Sequence, residues 1–158
     1  MSAPTRAPDV IDALVGLFTA SLAADADLSG VRVLDGPTIT AESDPELVIV
    51  GWDGDPEGDG QAVETTQEWA GLGARSKDEV LQVMCAVIAW KGSTDMRTVR
   101  ARCYEILAVV ATALRADPSL GFPPPTVVAL AVGNLWQSQT PQGAEARVVF
   151  TVAVKTRI

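Results

Sequence analysis

Hydrophobic positions recur along this chain with two different periods, and the switch between them lays out the elements. Across residues 8–24, Val10, Ile11, Leu14, Leu17, Phe18 and Leu22 fall on one face at helical spacing. Pro8 opens this segment, and Asp9 and Asp12 in its first turn suit the positive end of a helix. The closing segment, residues 144–158, has period two instead. Ala146, Val148, Phe150, Val152 and Val154 point inward, while Glu145, Arg147, Thr151, Lys155 and Arg157 point outward. At ~3.3 Å per residue such a strand spans on the order of 45 Å, so it either crosses a whole sheet or projects beyond it.

The stretch between these ends is read the same way. Residues 31–34 form a short strand after Gly30, stopped by Gly36-Pro37. Residues 46–52 (ELVIVGW) form a second, followed by the acidic loop 53–60, DGDPEGDG. Residues 61–69 alternate weakly and pair back as the far arm of a hairpin. Residues 79–90 are ambiguous, because Val80, Val83, Met84, Val87 and Ile88 also mark a helix face. Three valines together with Cys85, Ile88 and Trp90 favour a strand covered on both faces.

A second helix follows, capped by Ser93 or Thr94, with Asp95 in its first turn. Met96, Val99, Cys103, Ile106, Leu107, Val110 and Leu114 make its apolar stripe, and Asp117-Pro118 and Gly121 end it. Residues 126–136 form a strand, 137–143 a hairpin turn, and the alternating segment closes the chain. The order predicts an α+β domain, a mainly antiparallel sheet packed against two helices. A single domain spans 1–158, with residues 1–7 a flexible N-terminus.

A chain of 158 residues buries roughly 70% of its unfolded surface, enough for one core. The net charge of -8 argues against tight binding to phosphate backbones, which needs clustered Lys and Arg. No apolar run reaches membrane-spanning length, and the N-terminus lacks the pattern of a secretory signal. Cys85 and Cys103 lie inside apolar elements and read as buried thiols.

Histidine is absent, which removes His-based triads, His metal sites and His acid–base work. Phosphate-cradling glycine loops and a nucleophile elbow are absent too. Asp53, Asp55, Glu57 and Glu64, with Gly58 between, nearly spell a calcium loop. The flanks read as strands rather than helices, and a solvated acidic turn produces the same pattern. No metal site is therefore assigned. Trp52, Trp69, Trp90 and Trp136 each fall near a strand end, where a core edge or a subunit interface accounts for them.

The run of a strand, KGSTDMRTVRARCYEILAVVATALRADPSLG, a strand, a QTPQGAEA turn and a closing VVFTVAV strand resembles the tail terminator proteins of long-tailed actinobacterial phages. The resemblance covers residues 69–158 well and the earlier elements more loosely. It implies a virion protein without cofactor or catalysis. Copies would form a homohexameric ring that caps the tail tube, halts its growth and offers a surface for joining the head. The implied partners are other copies of the chain, the tail tube protein and a head–tail neck protein, with DNA sliding through the lumen unbound. Other connector proteins of the same neck share the size and layout, and a small binding module is a third class. Such a family carries no fixed catalytic motif, so candidate ring contacts rest on charge and exposure. They are Arg97, Arg100 and Arg102 on the start of the second helix, and Asp53, Asp55, Glu57 and Asp59 on the acidic loop. The outward row Arg147, Lys155 and Arg157 completes them.

Overall fold

The computed structural model describes residues 3–38 and 44–158. Its elements run α1 (Ala7–Ala23), β1 (Arg32–Asp35), β2 (Glu46–Val50), β3 (Val63–Trp69), β4 (Lys77–Lys91), α2 (Met96–Ala116), β5 (Val127–Thr140) and β6 (Gly143–Arg157). One sheet takes the order β1-β2-β4-β6-β5, with β3 also paired to β4. Among the described residues only the β1–β2 pairing is parallel. The molecule is thus α+β, with both helices on one face of a largely antiparallel sheet.

β4 is the central strand, which settles its ambiguous periodicity. Leu81, Val83, Cys85, Val87 and Ala89 turn toward the helices and are buried, and Ala86 is buried on the opposite face. β-Branched side chains fit that pleated, twice-covered position better than a helix surface. β6 pairs with β4 from Lys91↔Ala144 to Asp78↔Arg157. The long closing strand therefore crosses the sheet rather than projecting from it. Its inward row, Ala146 to Val154, joins the core beside Val10, Leu14, Phe18 and Leu22 of α1 and the α2 stripe. Phe18 meets Phe150 with ring centroids 6.3 Å apart, one aromatic contact tying α1 to the sheet.

One pairing and two turns differ from expectation: residues 61–69 do not pair back across the acidic loop on β2, because β3 pairs with β4. Neither Ser93 nor Thr94 caps α2; Asp95 does, its carboxylate accepting the Thr98 N–H at 3.2 Å and the Thr98 hydroxyl at 2.5 Å. The hairpin turn is tighter than 137–143, because β5 continues to Thr140 and leaves only Pro141 and Gln142 outside the strands. Gly143 makes this possible. Its φ is +128°, and a Cβ there would overlap the Lys91 carbonyl oxygen.

The segment expected to be a flexible N-terminus is partly tied down. The Arg6 N–H donates to Glu79 Oε1 at 2.8 Å, and Gln67 Nε2 donates both to the Pro4 carbonyl (2.7 Å) and to Glu79 Oε2 (2.6 Å). Glu79 is an inward-facing carboxylate at 1% exposure. These donors meet the cost of burying it.

Candidate interaction surfaces

The sequence-derived contact residues do not form one uniform set of free charges. Arg102 is held on three sides: Nε donates to Glu46 Oε1 at 2.7 Å, NH1 to Glu105 Oε2 at 3.2 Å and NH2 to the Asp27 carbonyl at 2.6 Å. It pins α2 to β2 and is not a mobile cation. Its guanidinium is raised further above its usual pKa, first by the hydrogen bond to Glu46. Arg100 NH1 donates to Gln137 Oε1 at 2.8 Å, linking α2 to β5. Arg97 is exposed near Asp95.

Arg147 departs from the expected exposed row. It is half-buried, donates from NH1 to the Asp53 carbonyl at 2.6 Å and lies over the Trp136 ring at 4.6 Å. Arg157 pairs with Asp78 at 2.6 Å across β4 and β6, and this hydrogen bond lowers the Asp78 pKa. Lys155 is exposed on β6, as expected.

The acidic loop spends much of its charge on itself. Asp53 Oδ1 accepts the Asp55 N–H, Asp55 Oδ1 the Glu57 N–H, and Asp59 Oδ1 the Gln61 N–H, each within about 3.0 Å. Among the described residues no three acidic or thiol groups gather as a metal would require, and Asp53, Asp55, Glu57 and Glu64 form no such group. The loop lies on the helix-free face of the sheet, where Gly54 sits against Arg147, Ile88 and Ala86. Trp52 covers a small second cluster there, with Leu34, Leu47, Ile49 and Ile88. Both thiols are inert: burial pushes Cys85 and Cys103 up to about 12.

What the sequence reading missed is where the apolar surface is left uncovered. Among the described residues it sits mainly at two opposite edges of the sheet, with Tyr104 of α2 also exposed. On one edge, Trp69 at the end of β3 is 65% exposed and Leu72 in the following turn is fully exposed. On the other, the edge strand β5 carries Val127 (57%), Val132 (55%) and Trp136 (46%). β5 contains no charged residue in its whole length, VVALAVGNLWQSQT. Edge strands are usually guarded by charge, proline or shortness; here the edge is interrupted by a bulge between Val132 and Leu135 and by the Pro118 carbonyl, which accepts the Val128 N–H. Gly133 permits that bulge, since a Cβ there would stand 2.7 Å from the Val149 carbonyl oxygen. Beside β5 a groove of about 360 Å³ runs against the end of α2, walled by Ala111, Leu114, Arg115 and Pro118 and floored by residues 128–130. The sequence placed Trp136 near a strand end, at a core edge or a subunit interface; that β5 is an edge was not visible there.

No protein-family model matches the chain, and no curated protein is significantly similar to it.

Proposed function

We propose that this protein is a structural ring subunit of a phage tail, a terminator that caps the tube, stops its polymerisation and joins it to the head. The observation that carries the reading is the pair of unlike apolar edges, Trp69–Leu72 on one side of the sheet and Val127–Val132–Trp136 on the other. A symmetric dimer uses one patch twice and leaves the other wet. Unlike patches on opposite sides satisfy each other only head to tail, and head-to-tail contacts that close make rings. Contiguous exposed apolar surface on a protein marks interaction sites.

The layout of residues 69–158 supports the choice of a tail terminator among ring proteins. The net charge of -8 suits a lumen through which DNA slides without sticking. The test is assembly of the tube protein from the same genome in the presence of this chain. Electron microscopy is expected to find tubes of arrested length bearing a ring at one end. Tubes that elongate unchanged and carry no added density would refute the proposal. Binding to the head-side neck alone would mark a neck adaptor instead.

A further inference from the structure

We infer that the ring junction is a strand-to-strand seam in which β3 of one copy adds antiparallel to the open edge of β5 of the next, its helix-side residues lying along the α2–β5 groove. The inference rests on the ring reading above and says how copies of this chain recognise one another.

Strand direction is the first argument. In the lower half of the sheet the row is β3-β4-β6-β5, four strands each antiparallel to its neighbour. Rotation about an axis along the strands preserves direction. An even row then brings β3 of the next copy alongside β5 in the antiparallel sense, the more stable pairing. An odd row would force a parallel junction.

Hydrogen-bond phase is the second. Met84 N–H donates to the Ala62 carbonyl and Ala70 N–H to the Ser76 carbonyl. In β3 the even residues therefore bond to β4, and Val63, Thr65, Gln67 and Trp69 turn their backbones outward. Lys77 and Ile158 exchange both backbone bonds, which fixes the phase of β4–β6 and leaves Val128, Leu130 and Val132 of β5 turned outward. One of these groups is already used, since Val128 N–H donates to the Pro118 carbonyl at 2.8 Å. The Val128 carbonyl and the groups of Leu130 and Val132 remain on the edge.

In a junction without stagger, the sheet levels place Val63 of one copy opposite Leu130 of the next, and Thr65 opposite Val128. Both members of each pair turn their side chains to the helix side; Val63 and Leu130 turn both backbone groups to the seam, while Val128, whose N–H is held by the Pro118 carbonyl, offers Thr65 only its own carbonyl. Any stagger from strand tilt must shift this by an even number of residues to keep the faces matched. The regular run of β5 before its bulge, 127–132, is close to the seven residues of β3.

Chemistry is the third. The helix-side row of β3 is Val63, Thr65, Gln67 and Trp69, uncharged, with the Gln67 amide already held by Pro4 and Glu79; it faces a groove walled by Ala111, Leu114, Pro118 and one cation, Arg115. Its other face carries Glu64 and Glu68, which meet no like charge on charge-free β5 and have Lys155 of β6 nearby. Pairing β3 with β3 would instead bring glutamates together across the seam, a destabilising arrangement. Main-chain bonds at an open edge with alternate side chains seated beside a helix are a general mode of strand addition.

The experiment is disulfide trapping in the full chain. Glu64→Cys is combined in turn with Val127→Cys, Ala129→Cys or Ala131→Cys, and each protein is oxidised in solution and on tail tubes. The native thiols are buried and do not compete. One double variant is expected to give a ladder of reducible oligomers beyond the dimer, while the single variants stay monomeric. Leu130→Pro, which removes an outward N–H but no bond to β6, is expected to abolish the ladder while leaving the circular dichroism spectrum unchanged. Dimers from a single variant, or rings on tubes with no ladder from any double variant, would overturn the seam while leaving the ring reading intact. A ladder in a protein that ignores tail tubes would uphold the seam and defeat the terminator reading. No assembly and no ladder under either condition would refute both.

Discussion

The guanidinium of Arg147 lies 4.6 Å from the centre of the Trp136 ring while donating a 2.6 Å hydrogen bond to the Asp53 carbonyl. One side chain thus joins β6, the edge strand β5 and the start of the acidic loop, whose residues are 94 positions away in the chain. It holds the loop on the helix-free face and covers the Trp136 ring there. Arg147→Ala is expected to cost about 1–2 kcal/mol, from the lost hydrogen bond and ring contact together. Denaturant unfolding followed by tryptophan fluorescence measures it. Arg147→Lys should recover little, since an ammonium lacks the planar stacking.

Glu79 should matter to the N-terminal arm more than its position in a strand implies. Glu79→Ala removes the acceptor for Arg6 N–H and Gln67 Nε2 in a buried site, at an expected cost of about 2–3 kcal/mol. The sharper readout is local. Trypsin should cut after Arg6 far faster in the variant than in the parent protein under native conditions.

The cap of α2 gives a pH signature. Hydrogen bonds from the Thr98 hydroxyl and backbone, in that order, lower the Asp95 pKa. A depressed carboxylate pKa adds stability that is present above the unfolded value, ~3.9, and is lost as pH falls through the folded value. Asp95→Ala should therefore melt below the parent protein at neutral pH, and the gap should narrow as pH falls below about 4. Asp95→Asn, which still caps, should melt between the two at neutral pH. Thermal melts across that range check both.

Cys85 and Cys103, with pKa values pushed up to about 12 by burial, should resist alkylation at pH 8 in the native protein and react fully in denaturant. Mass spectrometry of iodoacetamide-treated protein counts the modified thiols.

Gly143→Ala should be among the most damaging single changes outside the core. The added methyl meets the Lys91 carbonyl, and φ is +128°. A loss of roughly 2–4 kcal/mol is expected from the strain and the displaced β4 end, read as a lowered denaturation midpoint.

The elements were legible where a local pattern decides them. The α2 stripe and the inward row of β6 follow from period alone, and each lies in the core. β4 needed an argument from residue type, because its apolar positions fit both periods. The cap of α2 was misplaced because Ser93, Thr94 and Asp95 are successive candidates, and the exit from β4 chooses among them. Arg102 and Arg147 read as exposed cations because their partners, Glu46, Asp27 and Asp53, lie 56, 75 and 94 residues away. Edge position is likewise a property of strand order. Nothing local in VVALAVGNLWQSQT distinguishes an edge strand from one with a neighbour on each side, and the interaction surface proposed above depends on that distinction.

In the proposed function, copies of this chain meet head to tail through unlike edges and close into a ring. Native mass spectrometry of the protein released from tail tubes tests it most directly. One closed species is expected, six copies of the 16.5 kDa chain, absent when Leu130→Pro is used. A symmetric dimer, or tube-bound monomer with the same yield for Leu130→Pro, would contradict it.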